Sequence, residues 1–362
     1  MKSVLIGVGQ AGGKLTRELV EFDERMGFGA IRGAVAVNTA QTDLSDLPFE
    51  TVLVGQDRVK GQGVGGDNEL GAEVMQADSR ELLSALDGRI GAETESIFVI
   101  AGLGGGTGSG GAPVVAKELK RIYDIPVYGI GILPGRDEGA MYQVNAGRSL
   151  KTFAREADSL LLVDNDAFRS TGESVTEGFD SINREIAKRV GLLLAAGESV
   201  EGVAESVVDS SEIINTLRNG SIAALGYAAA EAAADAEDNI NAVMSTTRRA
   251  LLAGSSLPDA TDADAALVVV AGEQETIPRK GVERARRWVE EETGSLQVRG
   301  GDFPLSSDRL AALILLGGIE RSERLEEFME RAKEAQEQEA TAEATPTDPG
   351  DLWANDDLDD LL

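Results

Sequence analysis

Short apolar runs that alternate with segments of helical period limit the folds open to this chain more than any other feature. Six runs in the first half are predicted strands, and many of them are bounded by glycines. They are 3–8, 34–38, 51–54, 97–101, 126–132 and 159–163. Helical segments lie between most of them, which is the rhythm of parallel strands joined by crossover helices. The pattern therefore predicts an α/β fold built on a parallel sheet.

A long segment of helical period follows these strands. From Ser174 to Ala196 apolar residues recur at helical spacing without an internal proline, which predicts one central helix about 30 Å long. The Ala-rich stretch 228–252 is also predicted to be helical. It lies among further candidate strands at 221–227, 265–271, 295–299 and 310–316. This second part is predicted to form a smaller α+β domain.

The residues from about 333 onward are too poor in apolar groups to fold alone. We therefore expect a first domain at 1–199 that includes the central helix, a second at 200–330, and a disordered acidic tail at 331–362. The end of the tail carries the apolar residues Leu352, Trp353, Leu358, Leu361 and Leu362. Two interpretations stay open: these residues dock on an unknown partner or a membrane adaptor, or the acidity only keeps the protein soluble.

The chain is strongly acidic, with a formal net charge of −29, and it has 9 Lys beside 25 Arg. Because non-specific affinity for phosphates depends on Lys and Arg, this charge argues against a nucleic acid as partner. Self-repulsion fades in molar salt, where the screening length is roughly 3 Å. The composition favours a salt-rich cytoplasm over a mesophilic protein with an acidic tail, because removing residues 333–362 still leaves a net charge of −20.

The absence of Cys and His excludes disulfides, thiol nucleophiles, imidazole bases and soft-ligand zinc sites. Any catalysis has to use carboxylates, hydroxyls, Lys, Arg, the backbone or a hard cation such as Mg²⁺. The first apolar run is too short for a signal peptide, and no run approaches the roughly 18 residues that span a bilayer. We therefore expect a cytoplasmic protein.

Glycines cluster in three places just after predicted strands, at 7–13, 61–66 and 104–111. Such loops bring several backbone N–H groups close to one anion, and a helix that starts next adds the positive end of its dipole. Three of them at one sheet edge predict a phosphate-binding site. The first loop fits the dinucleotide fingerprint, but the next strand ends at Asn38 rather than an acid, which disfavours an NAD-dependent oxidoreductase. A P-loop is excluded because Val8 and Leu15 occupy positions that need Gly and Ser or Thr.

The segment from Gly104 to Gly110 resembles the signature of the tubulin/FtsZ superfamily of polymerising GTPases, and the resemblance covers about residues 1–325. It implies a Rossmann-like GTPase domain that binds GTP or GDP, with Mg²⁺ held through the phosphates and water rather than by protein ligands. The nucleotide-binding residues that it implies are Gln10, Ala11, Gly12, Gly13 and Lys14 in the first loop, Asn38 in the second, Gly65 and Gly66 in the third, which senses the γ-phosphate, and Gly104, Gly105, Gly106, Thr107, Gly108 and Ser109 in the signature.

The same resemblance implies two asparagines that read the guanine base, Asn165 after the sixth strand and Asn183 on the central helix. An Asn amide is both donor and acceptor, as recognition of guanine requires. Phe179 lies four residues before Asn183 on the same helical face, where its ring can stack on the base. Taken alone, these side chains are more typical of a solvated Asn and a core Phe, but the glycine loops favour the nucleotide interpretation. Glu138 is the candidate acceptor for a ribose hydroxyl.

Asp209 and Glu212 lie three residues apart at a predicted helix start, so both carboxylates point the same way. Alone, the pair is more typical of a capping box. By the resemblance, the two residues match the catalytic acids of a loop that inserts into the nucleotide pocket of the next subunit and completes the GTPase site. Val207 stands where the family often has Asn, so we expect slow hydrolysis.

The high acidity, the Asp-x-x-Glu spacing and the acidic terminus around Trp353 resemble the CetZ family of haloarchaeal tubulin-like proteins. This resemblance implies a cytoskeletal GTPase that polymerises head-to-tail and acts in cell shape and the motile rod form. Its filaments would lie in the cytoplasm, near the inner membrane or at mid-cell. The alternative is a nucleotide-gated scaffold with vestigial hydrolysis.

Overall fold

Strands and helices alternate along most of the chain, as the apolar pattern predicts. A computed structural model describes residues 1–169, 175–197, 208–233, 235–260 and 262–344. The strands are β1 (Ser3–Val8), β2 (Ile31–Asn38), β3 (Glu50–Leu53), β4 (Ser96–Gly102), β5 (Val127–Leu133), β6 (Ser159–Asp164), β7 (Ile222–Glu231), β8 (Asp262–Gly272), β9 (Gln297–Pro304) and β10 (Arg309–Arg321). The helices are α1 (Gly9–Met26), α2 (Gln56–Val59), α3 (Asn68–Ala77), α4 (Ser79–Leu86), α5 (Gly106–Ile122), α6 (Ala140–Glu156), α7 (Val175–Ala196), α8 (Ser210–Leu217), α9 (Asn239–Leu252), α10 (Arg279–Thr293) and α11 (Glu323–Ala344). Short 3₁₀ helices lie at Gln41–Asp43, Asn165–Phe168 and Gln274–Thr276.

The described strands form one sheet in the order β3-β2-β1-β4-β5-β6-β7-β10-β8-β9. From β3 to β7 every neighbouring pair is parallel, whereas β10 is antiparallel to both β7 and β8. Parallel strands end at the same side of a sheet, so the last residues of β1, β2, β4, β5 and β6 share one carboxyl edge. The loops after these strands therefore meet where open α/β sheets bind their ligands.

Two hydrophobic layers cover the faces of the sheet. Successive side chains of β1 alternate between them, with Val4 and Ile6 in one layer and Leu5 in the other. The first layer also contains α3 to α6 and α9 to α11, and the second contains α1, α7 and α8. The sheet is thus covered on both faces and its central strands are fixed. Within the described ranges, no helix is both long and apolar enough to cross a membrane.

Each of the ten predicted strands is present, β1 with its predicted bounds and the others with shifted bounds, and the predicted central helix is α7. The prediction of a helix over 228–252 is wrong in its first part, because β7 continues to Glu231 and α9 begins only at Asn239. In this part Ala228 pairs with Ala312 of β10, and Ala230 pairs with Leu310. Helix propensity is a weak preference that strand pairing overrides here.

Residues 331–344 are helical, so the prediction of a disordered tail from 331 is wrong for this part. They form the second half of α11, on which Phe328, Ala332 and Ala335 are buried. A Cβ on Gly147 of α6 would lie 2.8 Å from the Ala332 Cβ, so the two helices approach closely at small residues. Low apolar content did not prevent burial, because alanines suffice where the partner is glycine. The later tail with Trp353 and its leucines, and the predicted boundary at 199, lie outside the described residues.

A buried ion pair attaches α11 to the end of β6. The Arg324 guanidinium donates to both carboxylate oxygens of Asp164, to Oδ1 at 3.2 Å, and to Asp166 Oδ2 at 2.7 Å. Arg324 is 5% exposed and Asp164 is 1% exposed. Removing one partner of such a pair leaves the other charge buried and uncompensated. The ion pair therefore holds α11 against the loop that follows β6.

We expect Arg324→Met to lower the free energy of unfolding by about 3–5 kcal/mol, because Asp164 would lose its buried partner. Urea unfolding followed by circular dichroism in molar KCl measures the change. Arg284→Met is the matched control, because Arg284 is an exposed arginine of α10. Equal unfolding midpoints for the two variants would contradict the importance of the ion pair.

Candidate nucleotide-binding site

Two helices begin at the carboxyl edge directly after central strands. The α1 helix starts at Gly9 after β1, and α5 starts at Gly106 shortly after β4. Among the described residues, neither N-terminus has a side-chain cap, and neither first turn contains an acid. The first backbone N–H groups of both helices are therefore available to an anion, and both helix dipoles add positive potential there.

The first glycine loop packs against the signature loop. Gly9 has a φ of 72°, and a Cβ on it would lie 2.9 Å from the Gly108 nitrogen. A Cβ on Gly12 would lie 2.1 Å from a carbonyl oxygen of β4. The other predicted residues of this loop are the buried Gly13 and the exposed Gln10, Ala11 and Lys14. The glycines thus allow close packing, and the three exposed residues face solvent at the edge.

The signature forms the start of α5. Gly104 and Gly105 precede the helix, and its first residues are Gly106, Thr107, Gly108 and Ser109. The Ser109 hydroxyl donates to the carbonyl of Gly105 and, at 3.3 Å, to that of Gly106. A Cβ on Gly105 would meet no described atom within 4 Å apart from its chain neighbours. Gly105 therefore presents its backbone to open space beside the N–H groups of the helix.

A carboxylate that the sequence analysis missed joins the first and second loops. Asp43 Oδ1 accepts a hydrogen bond from the Gln10 amide at 2.9 Å, and its Oδ2 accepts one from the Asn38 amide at 2.9 Å. Asn38 is 2% exposed, and its Oδ1 accepts from the Thr39 N–H at 2.7 Å. The Asn38 amide therefore fixes the shape of the second loop. A nucleotide contact of Asn38 stays a prediction.

The third loop is attached to the signature through Asn145 of α6, which the sequence analysis also missed. Its Nδ2 donates to the carbonyl of Gly66 at 2.7 Å and to that of Gly104 at 3.0 Å. The φ angles of Gly65 and Gly66 are 62° and 90°, which favour glycine. Thr39 and Thr107 add a hydroxyl–hydroxyl hydrogen bond of 2.7 Å between the second loop and the signature. The predicted phosphate loops thus form one connected set.

The candidate base and ribose residues lie at the neighbouring part of the edge. Asn165 follows β6 and is 8% exposed, whereas Phe179 of α7 is 43% exposed. Asn183 is half-buried one turn further along α7, which packs against α1 and the 3₁₀ helix that starts at Asn165. Glu138 Oε1 accepts a hydrogen bond from the Gly135 N–H at 2.7 Å, which shapes its loop. Phe179 is therefore available for stacking rather than part of the core.

The edge is suited to an anion rather than to a free cation. Both oxygens of Asp43 are engaged by side-chain amides. In the part of the chain that the structure describes, no group of three or more acidic side chains is placed to hold a metal ion. Mg²⁺ held through phosphates and water rather than by protein ligands stays a prediction.

The structure does not bring Asp209 and Glu212 to the glycine loops. Asp209 precedes α8, and the hydroxyl of Ser210, the first residue of α8, donates to Glu95 Oε1. Glu95 lies immediately before β4, at the amino edge of the sheet. The signature loop follows the other end of this strand, which has seven residues and a length of about 20 Å. The acid pair and the phosphate loops are therefore at opposite edges of the sheet.

The environments of the two acids differ. Asp209 caps α8, since its Oδ1 accepts from the Glu212 N–H at 3.2 Å, and a hydrogen bond from the Ser211 hydroxyl is the main cause that lowers the Asp209 pKa. Burial raises the pKa of Glu212, and the charge of Asp209 raises it further. The charges of Arg299 and Arg286 lower this pKa, but by less. The capping interpretation thus holds for Asp209. Val207 lies outside the described residues.

Known proteins resemble this chain over its full length. Residues 2–172 match the GTPase domain of the Tubulin/FtsZ family, and residues 172–334 match the C-terminal domain of tubulin-like CetZ. The chain is 74% identical to the tubulin-like protein CetZ2 of Haloferax volcanii, over the full length of both. The solved GTPγS-bound protofilament of CetZ2 from Haloferax volcanii has a TM-score of 0.91 at 73% identity, covering 94% of this chain and all of that one. The GDP-bound monomer of CetZ1 from Haloferax volcanii has a TM-score of 0.86 at 49% identity, covering 93% of this chain and all of that one.

The fold and the family matches define a tubulin/FtsZ-like protein with a GTPase domain. Within this class, the chain belongs to the CetZ family.

We expect Gly105→Ala to weaken the binding of a fluorescent guanine nucleotide by about tenfold or more, because its Cβ would enter the space beside the α5 N-terminus. The melting temperature should stay within a few degrees of the parent, since the new Cβ meets no described atom beyond its neighbours. Gly91→Ala is the matched control, because a Cβ on Gly91 is equally free of contacts and lies near the amino edge. Equal nucleotide affinity in both variants would contradict the assignment of this site.

Proposed function

We propose that this chain binds GTP at the carboxyl edge and polymerises head-to-tail, so that the acids of one subunit complete the GTPase site of the next. The observation that carries the proposal is the separation of the two parts of the site. The phosphate loops follow β1 and β4, whereas Ser210 attaches the acid pair to Glu95 at the start of β4. With about 20 Å between the two ends of the strand, one chain does not bring its acids to its own loops.

The triphosphate would lie against the N-termini of α1 and α5, with the third loop beside its terminal phosphate. Backbone N–H groups and the two helix dipoles supply the positive potential. Mg²⁺, held by phosphate oxygens and water, would compensate the charge of the terminal phosphate. Asn165, Asn183 and Phe179 would read and stack on the guanine, and Glu138 would accept from a ribose hydroxyl.

Asp209 and Glu212 would orient the attacking water at the interface. Phosphoryl transfer depends mainly on positioning and charge compensation. Two carboxylates held at a fixed distance from the terminal phosphate would therefore be sufficient to orient the attacking water. The hydrogen bond from Ser211 keeps Asp209 ionised, while the raised pKa makes Glu212 the better proton acceptor of the two.

A pocket at one edge and its acids at the other make a heterologous contact, which propagates as a filament unless rotation closes a ring. The solved protofilament of CetZ2, which contains GTPγS, supports this mode of assembly for a protein of 73% identity. A role in cell shape and the motile rod form, with filaments near the inner membrane or at mid-cell, rests on the family resemblance. The acidic tail with Trp353 would serve as the docking segment for a partner or membrane adaptor.

Replacing both acids, with Asp209→Ala and Glu212→Ala, should leave GTP binding intact and reduce turnover to background. In the parent protein, turnover per subunit should rise with protein concentration, because the site forms only on assembly. Phosphate release in molar KCl with Mg²⁺ measures both effects. The control combines Glu330→Ala and Glu334→Ala, which removes two exposed acids of α11. Concentration-independent turnover would contradict a shared site, and assembly without phosphate release would favour the nucleotide-gated scaffold.

The pH dependence of turnover should follow Glu212. As the pH falls, Glu212 takes up a proton before Asp209, because its pKa is raised and that of Asp209 is lowered. Turnover should therefore decline on the acid side first with protonation of Glu212. The decline should be absent from the residual activity of Glu212→Gln, measured from about pH 4 to about pH 8 with assembly monitored by sedimentation. An unchanged acid limb in this variant would assign the decline to another group.

A further inference from the structure

Glu95 joins three elements at the amino edge of the sheet. Its Oε1 accepts a hydrogen bond from the Ser210 hydroxyl, and its Oε2 accepts one from the Lys2 N–H at 2.7 Å. The Glu95 N–H donates in turn to the Lys2 carbonyl at 2.8 Å. The starts of β1, β4 and α8 therefore meet at one half-buried carboxylate. Ser210 is the residue that directly follows Asp209.

The strands joined by Glu95 are the ones that end in the phosphate loops. The β1 and β4 strands pair in continuous register from Ser3 with Ser96 to Val8 with Ala101. At their carboxyl ends lie the first loop and the signature. A displacement of Glu95 relative to these loops would require the paired and buried strands to move. Glu95 thus gives the acid pair a fixed position relative to the strands that carry the loops.

The α8 helix needs this attachment for its orientation. It has eight residues, too few for a stable isolated helix. Val208, Ile213 and Leu217 are buried and hold one face of the segment in the core. Burial of one face is non-directional, so it leaves small rotations of the helix and shifts along its axis possible. A directional hydrogen bond at the first residue removes this freedom where the acids are located.

The two oxygens of Glu95 act as hydrogen-bond acceptors at this position. The Lys2 N–H and the Ser210 hydroxyl each donate to a different one of them. Glutamine can keep both links, because its carbonyl oxygen can accept from the Lys2 N–H while its NH₂ group donates to the acceptor lone pairs of the Ser210 hydroxyl. An alanine removes both links. In molar salt the negative charge of Glu95 is less important than its hydrogen bonds, because a Debye length of roughly 3 Å screens its interaction with charges elsewhere on the surface.

We propose that Glu95 is a positioning residue for GTP hydrolysis at the subunit interface: through Ser210 it aligns Asp209 and Glu212 with the nucleotide of the next subunit. The inference rests on the proposed function and adds a residue that acts through Ser210 rather than on the nucleotide or the attacking water. Misplacement of a reacting group by about 1 Å can cost on the order of a hundredfold in rate. The expected effect of Glu95 is therefore on turnover and not on nucleotide affinity.

The test compares Glu95→Ala and Ser210→Ala with the parent protein, with the conservative variant Glu95→Gln and with Glu93→Ala. Glu93 is a matched control, because it is an exposed acid two residues away whose Oε2 lies 3.4 Å from the Lys2 Nζ and which has no bond to Ser210. Glu95→Ala and Ser210→Ala should each lower maximal turnover per assembled subunit by about 10- to 100-fold. Glu95→Gln should retain most of the turnover, because its amide can keep the link to Ser210. The affinity of unassembled protein for a guanine nucleotide, the melting temperature and the amount of polymer formed with GTPγS should remain within about twofold or a few degrees of the parent. The variant with Glu95→Ala and Ser210→Ala together should be no slower than the slower single variant, because both remove the hydrogen bond between these two residues.

Full turnover in both Glu95→Ala and Ser210→Ala would overturn the inference, as would an equal loss in Glu93→Ala, which would point to surface charge alone. A loss in Glu95→Gln as large as that in Glu95→Ala would contradict the link through Ser210. A loss accompanied by lower melting or less polymer in both Glu95→Ala and Ser210→Ala would assign Glu95 a structural role only. The variant with Asp209→Ala and Glu212→Ala is measured in the same series. If that variant retains turnover, the proposed function fails. If it is inactive while Glu95→Ala and Ser210→Ala are fully active, only the role of Glu95 is refuted.

Discussion

The parallel direction of β1 and β4 determines where the functional residues lie. Because the two strands run side by side in the same sense, the loops that follow them meet at one edge, and Glu95 with the start of α8 lies at the other. Their side chains are buried on both faces of the sheet, which holds the two strands in place. Each molecule therefore has two unlike edges, one rich in backbone N–H groups and the other carrying carboxylates. The proposed active site, shared between neighbouring molecules, would use this division.

The sequence was sufficient to predict what depends on local pattern. The strands of the first half, the α7 helix and the glycine loops follow from apolar period and from residue types within a few positions of each other. The cap at Asp209 belongs to the same group, since its bond to the Glu212 N–H spans three residues. Errors occurred where tertiary contacts decide. The alanines at 228–231 pair with β10, and the small residues of α11 pack on Gly147.

The residues that connect the site were out of reach for a different reason. Asn145 bonds to Gly66 across 79 positions, and Ser210 bonds to Glu95 across 115. Asp43 is close to Asn38 in sequence, but it acts through Gln10 of another loop. An isolated Asn, Asp or Glu in a single sequence carries no signal that it bridges two loops. Only the three-dimensional structure reveals the role of these residues, whereas the role of the glycine loops can be recognised in the sequence.

The opposite placement of loops and acids gives the proposed filament two different ends. At one end the last subunit would expose its loops without a neighbour to supply carboxylates, so its nucleotide would stay uncleaved even after those of the inner subunits had been hydrolysed. At the other end the outermost acids face water and serve no pocket. The proportion of hydrolysed nucleotide would therefore change along the filament in one direction. The parallel direction of two strands in the middle of the sheet would determine which end keeps its triphosphate.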